Sequence, residues 1–288
     1  MKALREVLQE ADHAHVAVGH FNFSDLSALQ AIVEAAGELS LPVLVGVSEG
    51  EREFMGVRQV AALVKSLRDE TGHSIFLNAD HTHSLAKAEE AAHLGFDEII
   101  FDASALPLEE NVRATRKAIE AIKSVSPSTL VEGKIGYIGT SSAVLDKTPE
   151  GMSALTTPEE AKQFVEATGV DVLAPAVGNM HGLLKSMVRG EAQKHLDIRR
   201  IGEIKQASGV FMTLHGGSGT NDGDFKRAIK SGMTIVHVNT ELRLAWRRGL
   251  EAVFAREPDE VAPYKLLPGA LAAVKEVVRA RLQLFNSN

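Results

Sequence analysis

Three histidines are the residues of this 288-residue chain whose types and neighbours point most directly to chemistry. His81 closes the stretch IFLNADH, and His181 and His215 each precede a glycine, in GNMHG and HGGSG. Three neutral imidazoles can bind Zn²⁺ and leave one coordination position free for a substrate. If the fold brings the three together, they predict a catalytic metal site; otherwise each is an ordinary hydrogen-bonded histidine.

Carboxylates accompany these histidines. Asp80 directly precedes His81, so its side chain would lie near the metal without binding it, which suits a proton-transfer group. Taken alone, this pair equally fits a helix cap beside a hydrogen-bonded histidine. Asp102 and Glu132 end or lie on the next two apolar runs. Because a buried carboxylate is costly unless it is paired or metal-bound, these two predict either a second cation position or a pair with Lys134.

The segment HGGSGT (215–220) has the composition of an anion-binding loop. Its glycines permit positive φ, its N–H groups can converge on one point, and Ser218 adds a hydroxyl. A tight turn between a strand and a helix is the alternative. Four other residues could also contact a phosphate. They are Lys185, Asn239, Thr240 and Arg243. The alternative for those near residue 240 is an ordinary capped helix start, and the alternative for the lysine is a solvated side chain.

Eight short runs of β-branched and apolar residues would position these groups. The runs are residues 16–20, 42–48, 75–80, 98–102, 130–135, 171–176, 210–215 and 234–239. Segments with helical apolar spacing alternate with them, which is typical of βα units around a parallel sheet. The pattern predicts an α/β fold, a single (β/α)8 TIM barrel in which residues 1–288 form one domain.

The functional face of such a barrel is the C-terminal end of its strands. His20 and His237 lie on the runs at 16–20 and 234–239 and would join the other three histidines there. The connection 136–155 is the longest segment without an apolar repeat, so we expect it to form a lid over the site.

Composition narrows the range of partners. The chain carries 31 Lys and Arg against 38 Asp and Glu, a net charge of −7. This balance lacks the excess of basic residues that is typical of proteins that bind nucleic acid or an anionic membrane. It has no cysteine, so a transition metal must rest on His, Asp and Glu, and a reducing compartment fits. The charged N-terminus favours an amphipathic helix over a signal peptide, and we expect a cytoplasmic location.

An ordered series of motifs runs through the chain. They are FNFSD (21–25), NADH (78–81), GFDEIIFDAS (95–104), VEGKIG (131–136), LTTPEEAKQFVEATGVDVLA (155–174), VGNMHGLLK (177–185), LHGGSG (214–219) and VNTELR (238–243). In these motifs the sequence resembles the class II, zinc-dependent ketose-bisphosphate aldolases, the family of fructose- and tagatose-bisphosphate aldolases. The resemblance implies an enzyme that reversibly cleaves a ketose 1,6-bisphosphate, foremost fructose 1,6-bisphosphate, into dihydroxyacetone phosphate and an aldehyde such as glyceraldehyde 3-phosphate.

The same resemblance implies roles for individual residues. It makes His81, His181 and His215 ligands of Zn²⁺ or another divalent metal, and Asp80 the acid/base group. It places Asp102 and Glu132 at an alternative metal position, allows an additional monovalent cation, and implies a homodimer or homotetramer. Contacts to the phosphates of the sugar are implied for Gly182, Lys185, Gly216, Ser218, Asn239, Thr240 and Arg243.

Departures from the family pattern concern specificity. His237 stands where the family usually has Asn, and together with Asn22 and Ser48 it is a candidate for substrate selection. Asn239 favours a fructose-type over a tagatose-type substrate.

Other interpretations stay open. The lid lacks the early acidic residue common in the family, which leaves Asp146, Glu150 or neither to assist proton transfer. Lys134 replaces a common acidic residue and allows a Schiff-base mechanism, in which the histidines would have no role. The remaining alternatives are an aldolase for tagatose bisphosphate or another phosphorylated keto sugar, a metal-dependent barrel hydrolase, and a non-catalytic sugar-phosphate-binding protein.

Overall fold

The computed structural model of the protein describes residues 2–152 and 154–287. The strands are β1 (Val18–Asn22), β2 (Val43–Val47), β3 (Ile75–Thr82), β4 (Glu98–Phe101), β5 (Leu130–Ile135), β6 (Val144–Leu145), β7 (Val172–Pro175), β8 (Leu183–Leu184), β9 (Phe211–Leu214) and β10 (Ile235–Val238). The helices are α1 (Leu4–Ala14), α2 (Leu26–Leu39), α3 (Glu49–Met55), α4 (Val57–Thr71), α5 (Leu85–His93), α6 (Leu108–Val125), α7 (Pro158–Thr168), α8 (Lys185–Val188), α9 (Ile198–Ser208), α10 (Asp222–Lys230), α11 (Thr240–Arg256) and α12 (Pro263–Phe285).

Eight of these strands close into a parallel barrel in the order β1-β10-β9-β7-β5-β4-β3-β2. The predicted (β/α)8 TIM barrel is therefore confirmed. Each predicted run overlaps one barrel strand, and the largest shift is at the first, which begins at Val18 rather than at residue 16. The pattern of apolar residues locates a strand more accurately than it locates the ends of that strand. The ends depend on hydrogen bonds to neighbouring strands, which lie elsewhere in the chain.

The connection predicted as a lid has structure of its own. Its strand β6 pairs in parallel with β8, which follows His181, and the two form a separate two-stranded sheet. The N–H of His181 donates to the carbonyl of Ile138 at 3.0 Å, and the N–H of Leu183 donates to that of Ala143 at 3.0 Å. The first half of the connection is therefore attached to the loop that carries His181. Residue 153 lies outside the described residues.

The barrel has one closed end. An apolar cluster joins Leu4 and Leu8 of α1 to the first residues of the strands, among them Val18, Leu44 and Phe76. Because α1 covers the N-terminal end of the barrel in this way, a ligand reaches the interior from the C-terminal end. No helix within the described ranges combines the length and apolar character that a bilayer crossing requires.

Gly46 on β2 leaves room for a buried imidazole. A Cβ at this position would lie 2.1 Å from Cε1 of His20. We expect Gly46→Ala to lower the free energy of unfolding by about 1–3 kcal/mol, because the ring and its neighbours must move. Urea denaturation measures this change.

The control for that substitution is Gly37→Ala within α2, where nothing lies within 4 Å of the added Cβ. This change is expected to raise the free energy of unfolding by about 0.5–1 kcal/mol, because alanine is the better helix former. Equal effects of the two substitutions would contradict the packing argument.

Candidate active site

The end of β3 departs from regular strand geometry. Its ladder with β4 shifts register between Ala79 and Thr82, and His81 has a φ of 44°, in the left-handed region. Successive strand residues normally point to opposite faces of a sheet. Here the irregularity lets both Asp80 and His81 line the cavity at the barrel mouth. Strained backbone of this kind concentrates at functional sites.

The three predicted metal ligands meet at the mouth. The ring centroid of His81 lies 4.9 Å from that of His181 and 4.8 Å from that of His215, and the last two are 5.7 Å apart. His181 lies in the loop after β7, and His215 directly follows β9. One ring nitrogen from each lies within 4.8 Å of the others, so three separate elements place their imidazoles around one point.

Each of these rings uses a nitrogen for a hydrogen bond to an oxygen. The partners are the Asp102 carboxylate for His81 Nδ1 at 2.7 Å, the Gly139 carbonyl for His181 Nδ1 at 2.5 Å, and the Glu132 carboxylate for His215 Nε2 at 2.7 Å. The Asp102 carboxylate and the Gly139 carbonyl accept, so the bonded nitrogens of His81 and His181 carry the proton and the opposite nitrogens keep their lone pairs for a metal. Glu132 orients His215 in the same way in its ionised form. Acceptors of this kind fix the ligands of zinc sites, so the donor set fits Zn²⁺ or another divalent transition metal.

Asp102 and Glu132 are therefore hydrogen-bond partners of two of the predicted ligands in this structure. Asp102 also accepts from Lys134 Nζ at 3.0 Å, which is the pairing that the sequence left as one alternative. Burial disfavours charge on Asp102, but Lys134 and His81 outweigh it and hold the pKa of Asp102 well below its usual range. Burial raises the pKa of Glu132 to about 8, although Thr213 donates to this carboxyl. A cation in the site would favour the charged form of Glu132.

Asp80 lies beside the three imidazoles. Its Oδ1 is 3.6 Å from His81 Nε2, and its Oδ2 accepts from the Asn22 amide at 2.8 Å. Burial disfavours the carboxylate, but the imidazole of His81 and the hydrogen bond from Asn22 outweigh it and lower the pKa of Asp80. The group is therefore ionised at neutral pH, in the form that accepts a proton.

Asn22 links Asp80 to a second charged pair. Its amide also donates to Glu51 Oε2 at 3.0 Å, and Arg243 donates to Glu51 Oε1 at 2.7 Å. Ser48 is the N-cap of α3, where its hydroxyl accepts from the N–H of Glu51 at 3.4 Å. Glu51 thus joins three residues that the sequence marked for substrate binding or selection.

Six of the seven predicted phosphate-binding residues line cavities at the barrel mouth. They are Gly182, Gly216, Ser218, Asn239 and Thr240 beside the histidines, and Arg243 in an adjoining cavity of about 380 Å³. Lys185 is absent from the residues that line these two cavities. Its side chain is 59% exposed and pairs with Asp146 at 2.6 Å, so in this structure it lies apart from the other six.

The glycine-rich loop and the start of α11 form one unit. The Ser218 hydroxyl accepts from the N–H groups of Asn239 and Glu241, each at 3.3 Å, and thereby caps the helix. Gly217 donates to the carbonyl of His237 at 3.0 Å. Gly219 donates to the Glu241 carboxylate at 2.8 Å. This arrangement brings the loop against a helix N-terminus, which is a favourable place for an anion.

The two acidic candidates of the lid point to solvent. The side chains of Asp146 and Glu150 are 81% and 83% exposed, and they pair with Lys185 and Lys147. Ser142, earlier in the same connection, lines both cavities, and its carbonyl accepts from the Thr240 hydroxyl at 3.2 Å. In this structure the lid lines the site with Thr140, Ser141 and Ser142.

His237 and His20 extend the cluster into the barrel. Their rings stack with centroids 3.4 Å apart, and His237 lies 4.1 Å from the ring of His215. Burial lowers the pKa of His20 to about 4 and holds that of His237 well below its usual range. Both rings are therefore neutral. His237 Nδ1 lies 3.9 Å from Asp80 Oδ1, beside the predicted acid/base group.

Sequence reasoning missed two charged groups of this region. Glu51 belongs to a capping box with Ser48, which signals the start of a helix but not the direction of the carboxylate. Lys194 is 4% exposed and donates to carbonyls beside His181 and His215. It lies in an irregular connection, where no periodicity marks a residue as buried.

The sequence also matches a known protein family over almost its whole length. The model of a family described as "Fructose-bisphosphate aldolase class-II" matches residues 2–288. The chain belongs to the class II fructose-bisphosphate aldolase family. Members of this family are lyases and depend on a metal, in agreement with the donor set at the barrel mouth.

Individual relatives of this class II aldolase chain agree with that assignment. A Bacillus subtilis (strain 168) protein named "Probable fructose-bisphosphate aldolase" is 35% identical over 99% of this chain and 98% of its own length. The fructose-bisphosphate aldolase of Geobacillus stearothermophilus is 34% identical over 99% and 97%. Among solved structures, the YdjI aldolase from Escherichia coli K12 superposes with a TM-score of 0.84 at 27% identity, covering 100% of this chain and 98% of that one.

The partner of His81 provides a test of the metal site in this aldolase chain. Asp102→Ala removes the acceptor that orients the ring and is expected to weaken Zn²⁺ binding by about 10–100-fold. Competition with a chromogenic chelator measures the affinity. Asp146→Ala, at an exposed carboxylate, is the control and should bind Zn²⁺ like the unaltered chain. Equal affinities for the two variants would exclude this role for Asp102.

Proposed function

We propose that this chain is a metal-dependent aldolase that reversibly cleaves fructose 1,6-bisphosphate into dihydroxyacetone phosphate and glyceraldehyde 3-phosphate. The observation that carries the proposal is the meeting of His81, His181 and His215 around one point, with the ionised Asp80 beside them. The names of the relatives support the choice of sugar.

His81, His181 and His215 would hold the metal, with Zn²⁺ as the expected ion because three imidazoles and an open position suit it. When bound, the metal supplies a Lewis acid that stabilises the negative charge left on the dihydroxyacetone phosphate half as the C3–C4 bond breaks. Asp102, Glu132 and the Gly139 carbonyl keep the rings oriented for that task.

Asp80 is the proposed proton-transfer group. As a carboxylate, it accepts the proton of the C4 hydroxyl while that carbon becomes an aldehyde, and it returns the proton in the condensation direction. Asn22 holds one carboxylate oxygen, so the other is free to face the substrate. His237 lies close enough to influence which sugar fits against this pair.

The phosphates orient the bond that breaks. We place one phosphate at the loop 216–219 and the start of α11, where Asn239 and Thr240 line the cavity. Arg243 in the adjoining cavity suits the other phosphate, and it would exchange its bond with Glu51 for that anion. Contacts to both phosphates would hold the sugar in the orientation in which the C3–C4 bond can break beside Asp80.

A Schiff-base mechanism is disfavoured. Lys134 is 1% exposed and its ammonium is bound to Asp102 at 3.0 Å, so it faces a carboxylate in the interior and not a substrate carbonyl. A nucleophilic lysine needs a free amine within reach of the carbonyl.

His237 favours a second candidate function, an aldolase with a different substrate. His237 stands beside Asp80 where the resembled family usually has Asn, and its stacked partner His20 fills space beneath it. The different side chain at this point is the observation that favours an aldolase for tagatose bisphosphate or another phosphorylated keto sugar as the second candidate.

The proposal also covers the location and the oligomeric state of the enzyme. We place the enzyme in the cytoplasm as a one-domain homodimer or homotetramer that binds neither nucleic acid nor membranes. Large apolar side chains at the surface support an assembly: Phe54 is 80% exposed, Tyr264 76% and Val261 85%.

The decisive experiment is a cleavage assay on the metal-replete protein. Fructose and tagatose bisphosphates are offered with and without a chelator, and release of triose phosphate is followed. We expect cleavage of fructose bisphosphate that the chelator abolishes and added Zn²⁺ restores, because the metal is the proposed electron sink. Full activity in the chelator, or no cleavage of either sugar, would refute the proposal.

Two substitutions separate proton transfer from metal binding. Asp80→Ala is expected to retain Zn²⁺ and to lower kcat by about 10²–10⁴-fold, because it removes a general acid/base group. His181→Ala is expected to lose both the metal and activity. Metal content and turnover are measured on each, with the exposed His93→Ala as control. An active Asp80→Ala variant would remove this residue from the mechanism.

The proposed contact between Arg243 and the second phosphate of the substrate can be tested by substitution. For Arg243→Met we expect kcat/KM for fructose 1,6-bisphosphate to fall by about 10–100-fold, because a charge-assisted contact is lost. The same ratio for fructose 1-phosphate should change little. Steady-state kinetics on both sugars measures the difference, and parallel losses on the two would contradict this assignment.

A further inference from the structure

Lys194 is a buried charge that the proposed chemistry does not use. It lies between α8 and α9 and is 4% exposed. Its backbone runs beside the glycine-rich loop, since its N–H donates to the Gly219 carbonyl at 2.8 Å and its carbonyl accepts from Asn221 at 3.1 Å. Main-chain bonds therefore fix the residue before its side chain makes any contact.

The ammonium of Lys194 is surrounded by backbone oxygens. Its Nζ lies 2.6 Å from the Met180 carbonyl, 2.7 Å from that of Gly182 and 2.9 Å from that of Gly216. An ammonium has three N–H donors and no acceptor, whereas a neutral amine has two donors, so three acceptors match the charged form. Burial lowers the pKa of Lys194 to about 7, and the carboxylate of Glu241 opposes this. The converging carbonyl dipoles also favour the ammonium.

These oxygens belong to the two loops that carry metal ligands. Met180 and Gly182 flank His181, and Gly216 follows His215. The loops approach closely, because a Cβ on Gly216 would lie 2.3 Å from the Met180 oxygen. Buried carbonyl oxygens that converge in this way are costly without a donor or cation between them.

We propose that Lys194 is a built-in monovalent cation: its ammonium holds the loop of His181 against the loop of His215 and so sets the distance between two ligands of the metal. The chain then needs no free K⁺ or Na⁺ at these carbonyls. Lys194 is a positioning residue, since it is not among the residues lining the two cavities at the mouth. The inference rests on the proposed function, because it takes the histidine site to be the metal site.

The experiment uses Lys194→Ala, which leaves a small space lined by the three carbonyls, and Lys194→Met, which fills that space without charge. Zn²⁺ affinity by chelator competition, the midpoint of thermal unfolding and aldolase kcat/KM are measured on each. The measurements are made in chlorides of NH₄⁺, K⁺, Na⁺ and tetramethylammonium at constant ionic strength. Lys205→Ala is the control, because Lys205 is also partly buried and donates to a carbonyl, that of Val210, away from the site.

We expect both Lys194 variants to bind Zn²⁺ about 10–100-fold more weakly, the range for groups that support metal ligands. NH₄⁺ and K⁺ should restore much of that affinity to Lys194→Ala and none to Lys194→Met, whose side chain blocks the space. Tetramethylammonium is too large to enter and should restore neither. The unaltered chain and Lys205→Ala should bind Zn²⁺ equally in all four salts.

Unchanged Zn²⁺ affinity in Lys194→Ala, or no rescue by any small cation, would overturn the inference. A requirement of the unaltered chain for K⁺ or NH₄⁺ would overturn it as well, and this arm needs no variant to fold. Zn²⁺ binding and unfolding do not involve the sugar. An unaltered chain that binds Zn²⁺ but cleaves no bisphosphate would therefore contradict the proposed function, while the salt dependence still decides the role of Lys194.

Discussion

The proposed metal site depends on hydrogen bonds that each of its three histidines makes through one ring nitrogen. An imidazole binds a cation only through a nitrogen that carries no proton, and the acceptor on the opposite side decides which nitrogen that is. Here the acceptors are supplied by Asp102 after β4, by Glu132 on β5 and by the Gly139 carbonyl at the start of the lid. The ligands and their acceptors thus come from different βα units, so the site exists only when the barrel is closed.

The backbone of His81 shows how the fold supports such a site. A positive φ at a residue that is not glycine costs on the order of 1–3 kcal/mol and persists only where the surroundings impose it. The surroundings here are a buried strand, a register shift against β4 and the bond to Asp102. The apolar cluster under α1 packs at the N-terminal end of the barrel, whereas the strained residue lies at the C-terminal end. This division is typical of TIM barrels.

The sequence predicted the parts whose signals are local. Alternating apolar runs marked all eight barrel strands, and a polar residue at a strand end was enough to place His81 and His215 at the mouth. Contacts made by side chains in the loops could not be predicted in this way. Nothing near Lys185 signals its ion pair with Asp146, and nothing near Lys194 signals the three carbonyls around its ammonium. Such contacts depend on the relative positions of loops, which no periodicity encodes.

The attachment of the lid to a ligand loop limits how the chain can vary in length. Residues 138–145 are held at both ends, by the bonds of Ile138 and Gly139 to His181 and by the pairing of β6 with β8. An insertion within this stretch would strain the bond between His181 and the Gly139 carbonyl. Beyond it, residues such as Lys147 and Glu150 are exposed and pair only with each other in the described structure. Added segments are tolerated where the backbone is exposed and free of such bonds. Insertions next to Lys147 and Glu150 would therefore leave the bonds between the lid and His181 in place.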